Sequence, residues 1–203
     1  MEIRKTAVLI DRRCLLAFAV CALAAGRADA RSSAEHRTRE PHRFHAKTGY
    51  RIERYRAPIP DDVPGAKRVT AKEARAMMAK GALAIDVFGV ANTRFDEFDG
   101  SWIVAKQRHS IPGAVWLPEV GKGAPPRDIE TYLEENLARL TRGDKDCPLI
   151  FFCIADCWMS WNATQRATAL GYTNAHWFAE GTDGWSDEGW ELEPVDPVAV
   201  GVD

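Results

Sequence analysis

The chain has 203 residues, of which 46% are hydrophobic and 28% charged, the composition of a globular protein of one domain with short additions. Its formal net charge of -2 and the lack of a basic stripe argue against nucleic-acid binding. No apolar run reaches the roughly 18 residues that a membrane-spanning helix requires, which argues against an integral membrane protein.

Residues 1–30 have the pattern of an export signal. Arg12 and Arg13 precede an apolar run over 14–25, and the sequence Ala28-Asp29-Ala30 follows it. A positive segment, a short apolar segment and an A-x-A site are typical of a secretory signal peptide. We therefore predict cleavage after Ala30 and a periplasmic protein with no membrane span after cleavage. The sequence leaves open Sec or twin-arginine export, and a small N-terminal helix packed on the domain is the alternative.

Residues 31–68 are predicted to form an N-terminal arm and an extended strip. The arm, 31–48, is rich in Arg, His, Ser and Glu and has almost no large apolar side chains, so we expect it to be disordered or loosely attached. Its three histidines are interpreted as solvated loop residues, with metal binding as the less favoured alternative. The strip, 49–64, has several prolines among aromatic residues, which favours an extended path over the domain. Residues 198–203 are expected to be a C-terminal tail.

Helical and strand patterns alternate over 69–197. Thr70 and Glu73 form a capping box that predicts a helix ending at Gly81. The further predicted elements are strands at 83–87 and 115–117, a partial helix at 93–98, a helix at 128–140, a strand at 149–152, a helix from about 160 to 170, and a strand at 175–178. This alternation predicts an α/β fold with a parallel central sheet and helices on both faces.

The cysteines carry the candidate chemistry. Of five, Cys14 and Cys21 lie in the predicted signal, so three remain in the mature chain. An odd number in an oxidising compartment implies that at least one is free, reactive or bonded to another chain. Cys147 opens the strand at 149–152, at the end opposite Cys153, and is interpreted as structural.

Cys153 is the predicted nucleophile. It stands between a buried strand and a helix, where ligands bind in parallel sheets and where unpaired helix amides favour a thiolate. Cys157 is a candidate resolving thiol if the loop curls back, and a buried small hydrophobe otherwise. Asp86 and His109 are candidate supporting groups, although a carboxylate at a strand end often caps a loop. No spacing specifies a metal site, and no cofactor is predicted. The other predicted loop residues are Ile154, Ala155, Asp156, Trp158, Met159 and Ser160.

Two levels of family resemblance follow from these residues. The chain carries, in order, Leu83-Ala84-Ile85-Asp86-Val87, Ile111-Pro112-Gly113-Ala114-Val115, Phe152-Cys153, Gly171-Tyr172-Thr173-Asn174-Ala175, and Glu180-Gly181 to Trp185. Their order and spacing resemble a rhodanese-like domain. That resemblance implies an α/β fold and a catalytic cysteine that accepts sulfur as a persulfide, with which Cys153 aligns.

The second resemblance is narrower. The run 153–162, with Gly49-Tyr50-Arg51 and Tyr55-Arg56-Ala57-Pro58 upstream, is similar to the PQQ-dependent catabolism-associated CXXCW-motif family, here with three residues between the cysteines (CXXXCW). It implies export, a redox role and a periplasmic PQQ-dependent dehydrogenase or redox partner.

The departures from ordinary rhodaneses point away from thiosulfate as substrate. The active loop of rhodaneses usually offers Arg or Lys, whereas Asp156 and Trp158 stand here, and a carboxylate opposes a thiolate. Phe88 stands where many relatives carry Arg.

Two functions are therefore open. One is a sulfurtransferase or thiol–disulfide oxidoreductase in which Cys153 reacts and Cys157 resolves. The other is a non-catalytic accessory module for a PQQ-dependent dehydrogenase, motivated by five tryptophans over 158–190 that core packing also explains.

Overall fold

The computed structural model describes residues 31–90 and 95–201; the predicted signal and the first part of the predicted 93–98 helix lie outside them. Five helices and seven strands are found within the described residues. The helices are α1 (Ser33–Arg39), α2 (Ala71–Met78), α3 (Arg127–Thr141), α4 (Trp158–Ala169) and α5 (Gly181–Asp187). The strands are β1 (Lys67–Val69), β2 (Leu83–Asp86), β3 (Arg108–Ser110), β4 (Val115–Trp116), β5 (Leu149–Phe152), β6 (Ala175–Phe178) and β7 (Glu193–Val195).

The central sheet is parallel and has the strand order β1-β6-β5-β2-β4. The central strand β5 pairs with β2 and with β6, so that Phe152 lies opposite both Asp86 and Phe178. All four residues of β5 are buried, as expected for a continuous apolar strand covered on both faces. A separate antiparallel pair, β3 with β7, completes the strands of the described chain.

Helices cover both faces of this sheet, which confirms the predicted α/β fold. Successive side chains of a strand point to opposite faces. Leu149 and Phe151 accordingly pack in a core with residues of α3 and α4, whereas Ile150 and Phe152 pack in a second core with residues of α2 and α5. The sheet therefore presents its carboxyl edge, where Cys153 follows β5, between two helical layers.

The N-terminal arm is folded against the domain, so the expectation of a disordered arm at 31–48 is wrong. Ser32 caps α1 and forms a capping box with Glu35. The backbone amide and hydroxyl of Ser33 both donate to the carboxylate of Asp62, at 2.6 and 2.8 Å. His36 is buried, packed edge-on against an indole of α4. The apolar surface that orders this segment comes from the domain, and the composition of the segment itself does not reveal it.

Several boundaries differ from the sequence-based prediction. Helix α4 begins at Trp158, two residues before the predicted start, and β1 and α5 were not predicted. The first residues of the predicted tail are held by backbone hydrogen bonds from Val198 to Trp116 and from Val200 to Gly100. Over the part of the chain that the structure describes, no helix combines the length and apolarity needed to cross a membrane.

Candidate functional site

The cysteine loop, residues 153–157, is the tight connection between β5 and α4. The buried strand delivers Cys153 at its carboxyl end, and Cys157 is the N-cap residue of α4. Between them Asp156 adopts a left-handed conformation with φ of 53°, which reverses the chain direction. The reversal brings the two cysteine side chains into hydrogen-bond contact with each other.

Helix α5 holds the loop from one side. The amide of Thr182 donates to the carbonyl of Cys153 at 3.0 Å, and the amide of Ala155 donates to the carboxylate of Asp183 at 3.0 Å. Gly181, with φ of 56°, approaches so closely that a Cβ there would lie 2.4 Å from the Cys153 carbonyl oxygen. A glycine at 181 is therefore a steric requirement of the loop.

The N-terminal strip holds the loop from the other side. Arg56 and Cys157 form an antiparallel bridge, in which the amide of Ala57 donates to the carbonyl of Asp156 at 3.1 Å. The amide of Trp158, the first of α4, donates to the carbonyl of Tyr55 at 2.8 Å. One of the free amides of the helix N-terminus is thus occupied by the strip, and the next amides remain for Cys157.

Trp158 follows Cys157 in the chain, but its side chain does not cover the reactive site. Its side chain is fully buried in a hydrophobic cluster whose other buried members are Phe44, Val63, Trp161, Trp177 and Ala179. Its indole N–H donates to the carbonyl of Pro58 at 3.1 Å, and the guanidinium of Arg51 lies 4.7 Å from its ring centroid. Trp158 therefore fastens the cysteine loop to the N-terminal segment.

A cavity of about 1020 Å³ opens at the carboxyl edge of the sheet beside Cys157. Ile154 and Cys157 of the cysteine loop and Met159 of α4 line this cavity, whereas Cys153 does not line it. Its apolar walls come from Tyr55, Phe88, Val90, Val104, Trp116 and Leu192. Its charged or titratable lining residues are Arg56, Lys106, Arg108, His109, Glu119, Lys122 and Asp183.

The two thiols have opposite electrostatic environments. Cys153 is 0% exposed, and burial followed by its contact with Cys157 raises its pKa well above the ordinary value. For Cys157, 3% exposed, the hydrogen bond from the Cys153 thiol lowers the pKa, burial opposes this, and the backbone amides of Met159, Ile154 and Ser160 lower it further. The environment that favours a thiolate therefore lies at Cys157 and not at Cys153, opposite to the expectation from the sequence.

Asp86 acts on the site through Arg108, a residue that sequence analysis missed. The fully buried carboxylate of Asp86 accepts hydrogen bonds from the Phe88 amide at 2.9 Å, Arg108 Nε at 2.9 Å and Ser110 Oγ at 2.6 Å. Burial raises the pKa of Asp86, while the charge of Arg108 opposes that rise. Arg108 in turn lines the cavity and donates to the Cys153 carbonyl at 3.4 Å. The sequence signal that could have identified Arg108 is the lack of a cation in the cysteine loop, which leaves that charge to be supplied by another element.

The remaining predicted residues separate into two groups. His109 lies in β3 and lines the cavity, next to Arg108. Asp156 is exposed and lies outside the cavity lining, so its carboxylate does not face the pocket. Ser160 is buried inside α4, where it donates to the carbonyl of Cys157 at 3.2 Å. Among the described residues, no group of three or more His, Cys, Asp or Glu side chains is arranged to hold a metal ion.

Comparison with known proteins places this arrangement in context. A family model described as a rhodanese-like domain matches residues 70–188. No curated protein matches the sequence. A thiosulfate sulfurtransferase from Pseudomonas aeruginosa is 23% identical with a TM-score of 0.46, over 68% of this chain and 22% of its own length. The human single-domain sulfurtransferase TSTD1 is 27% identical with a TM-score of 0.39, over 61% of this chain and 97% of its own.

Proposed function

The chain belongs to the rhodanese-like domain family. We propose that it carries out thiol–disulfide exchange through Cys157 and Cys153. One observation supports this above all: a cavity-facing sulfur with a lowered pKa is hydrogen-bonded to a second, fully buried sulfur with a raised pKa. A low-pKa thiol that lines a cavity is suited to attack, and a protonated, fully buried thiol beside it is suited to resolve the product.

The exchange proceeds in two balanced steps. The Cys157 thiolate attacks one sulfur of a substrate disulfide, a mixed disulfide forms, and the first substrate thiolate leaves. Cys153 then loses its proton and attacks the Cys157 sulfur, which closes the Cys153–Cys157 disulfide and releases the second substrate thiolate. The substrate gains two electrons that the protein loses, and a dithiol reductant returns the protein to its starting state.

The contact between the two sulfurs orders these steps. Burial is the largest cause of the raised pKa of Cys153, and the hydrogen bond to Cys157 and the negative charge on Cys157 add to it. Formation of the mixed disulfide removes that charge and weakens that hydrogen bond. The pKa of Cys153 therefore falls once the substrate is attached, which favours the resolving step, while burial continues to raise it.

Sulfur transfer is the second candidate function, favoured by the family. In this version the Cys157 thiolate attacks the outer sulfur of a sulfane-sulfur donor, the S–S bond of the donor breaks, and the rest of the donor leaves with the electron pair. Cys157 then holds the transferred sulfur as a persulfide in the cavity. Of the five tryptophans that motivated the accessory-module alternative, Trp158, Trp161 and Trp177 are fully buried and pack in the core, whereas Trp190 is half-buried.

Alkylation of the reduced protein over a graded pH series tests the assignment. We expect native protein to be labelled at Cys157, with a pKa below the value of about 8.5 for a free thiol. Cys153→Ser keeps a hydroxyl donor and Cys153→Ala removes it, so the pKa of Cys157 should rise more in the alanine variant. Cys147→Ser, a distant cysteine, is the control. Preferential labelling of Cys153, or an unshifted Cys157, would contradict the proposal. Mass spectrometry after incubation with a sulfur donor separates disulfide exchange from a persulfide on Cys157.

We further propose that residues 1–30 direct export and that the mature chain serves a periplasmic PQQ-dependent dehydrogenase or its redox partner. Two observations support this proposal: residues 1–30 have the sequence pattern of an export signal, and the run 153–162 resembles the PQQ-dependent catabolism-associated CXXCW-motif family. The N-terminal sequence of protein from the periplasmic fraction should begin at Arg31. Because Cys153→Ala cannot resolve a mixed disulfide, it should trap the partner covalently, whereas the double variant with Cys157→Ser should not. Retention of residues 1–30, or identical capture by both variants, would refute this assignment.

A further inference from the structure

The cavity beside Cys157 is far larger than chemistry on a small sulfur anion requires. Its volume of about 1020 Å³ lies at the upper end of the range of about 300–1,000 Å³ typical of pockets that enclose a drug-sized molecule. Phe88, Val90 and Val104 line it and are only half-buried, so their apolar surface is left facing the cavity. Tyr55, which is half-buried, adds aromatic surface to the same walls, whereas Trp116 lines the cavity but is only 2% exposed. These walls suit a substrate with an apolar, planar body.

The carboxylates of the cavity are already engaged by the protein. Glu119 accepts a hydrogen bond from the amide of Val90 at 2.7 Å and forms an ion pair with Lys122. Asp183 accepts from the amide of Ala155 in the cysteine loop at 3.0 Å. Both carboxylates therefore support the structure of the pocket, but only Glu119 is buried, whereas Asp183 is exposed.

Among the exposed lining residues with a formal charge, the two cations outnumber the one carboxylate, that of Asp183. Lys106 and Arg56 line the cavity and are exposed, and no described carboxylate forms an ion pair with either of them. Arg108 adds a third cation, although it is paired with Asp86. A substrate whose anionic end lies at the rim would meet these cations while its apolar body lies against the walls.

We propose that the substrate of the Cys157–Cys153 pair is an aromatic disulfide that carries a carboxylate or comparable anionic group. This inference rests on the proposed exchange function. The Cys157 thiolate attacks the near sulfur, and the aromatic thiolate leaves with the electron pair of the broken S–S bond. Aromatic thiolates are good leaving groups because their thiols have low pKa values. Cys153 then displaces the second aromatic thiolate, and a dithiol reductant supplies the two electrons for the next cycle.

Three disulfides of different character test this substrate class. DTNB is aromatic and carries two carboxylates, dithiodipyridine is aromatic and uncharged, and cystamine is small, aliphatic and cationic. The rate with reduced protein is measured by stopped flow against reagent concentration and divided by the rate of each reagent with glutathione at the same pH. This ratio is the enhancement for each reagent. We expect the rate with DTNB to saturate with DTNB concentration and to be inhibited by sulfur-free nitrobenzoate. The enhancement for DTNB should be about tenfold or more above that for cystamine.

Variants separate the contributions of the walls and the rim. Lys106→Glu should reduce the DTNB enhancement about tenfold and leave that of dithiodipyridine nearly unchanged. Val104→Ser should weaken saturation by both aromatic reagents. Lys80→Glu, an exposed lysine after α2 and away from the cavity, is the matched charge-reversal control and should change neither rate.

The outcomes distinguish a failure of the proposed substrate class from a failure of the proposed exchange function. Equal enhancement of all three reagents without saturation would overturn the aromatic substrate class while leaving exchange at Cys157 intact. Saturation by dithiodipyridine that equals that of DTNB, together with an unaffected Lys106→Glu variant, would overturn the requirement for a negative charge. If Cys157 reacts with every reagent no faster than glutathione does, the proposed exchange function itself fails.

Discussion

Replacing Asn162 by alanine should detach the N-terminal strip from α4. The Asn162 side chain is fully buried; its Oδ1 accepts from the amide of Arg51 at 2.8 Å, and its Nδ2 donates to the carbonyls of Arg51 and Gly121, each at 2.8 Å. Alanine leaves these three backbone groups without their partner. Each buried polar group without a partner costs about 1–3 kcal/mol, but water will reach some of the three groups as the strip loosens. We therefore expect the free energy of unfolding to fall by about 3–5 kcal/mol.

Urea unfolding followed by tryptophan fluorescence measures this loss, and hydrogen exchange over residues 44–58 locates it. The matched control is Asn174→Ala, since Asn174 is half-buried and its amide makes a single hydrogen bond to the carbonyl of Asp146 at 3.2 Å. The control should lose less than about 1 kcal/mol and leave the exchange of the strip unchanged. If Asn162→Ala behaves like the control, the strip is not held by this side chain and the reasoning is wrong.

Two further predictions concern the loop support and the arm. Gly181→Ala combines a left-handed φ with a Cβ 2.4 Å from the Cys153 carbonyl, so it should cost at least about 2 kcal/mol in urea unfolding and slow the alkylation of the site. Gly189→Ala, with φ of 78° and no atom within 4 Å of its Cβ, is the control and should cost about 1 kcal/mol without affecting the site. Burial, followed by the charge of Arg51, lowers the pKa of His36 below its ordinary 6.5. The unfolded state then binds the proton more tightly, so the attachment of α1 should be complete above pH 6.5 and decline as pH falls through the lowered pKa of His36. Hydrogen exchange of α1 checks this, and a His36→Phe variant that shows the same pH dependence would refute it.

The sheet was predictable because its signals are local. The apolar run of β5 and the capping box of Thr70 and Glu73 each specify an element within a few residues, and the structure contains both. β1 escaped prediction because Lys67 and Arg68 are exposed on a short edge strand, which gives no apolar run. The order of the arm depends on surface supplied by α4, far away in the chain, and is invisible in the local composition.

The site was predictable only in part for the same reason. The pair of cysteines at the end of a buried strand indicated thiol chemistry at the correct edge of the sheet. Which sulfur faces the cavity depends on the left-handed turn at Asp156 and on the contact between Gly181 and the loop carbonyl. Aspartate tolerates a left-handed conformation, but its presence in a sequence does not by itself indicate one. Gly181 lies in another segment of the chain. Neither fact can be obtained from the spacing of the cysteines.

The bridge between Arg56 and Cys157 joins a reacting residue to a peripheral segment by backbone hydrogen bonds. Any movement of Cys157 that accompanies a covalent link between the two sulfurs would therefore be transmitted to residues 55–58. Trp158 follows Cys157 in the chain and binds Pro58 through its indole N–H. We therefore expect oxidation of the pair to change the environment of the Trp158 indole, which a comparison of the fluorescence of reduced and oxidised protein measures.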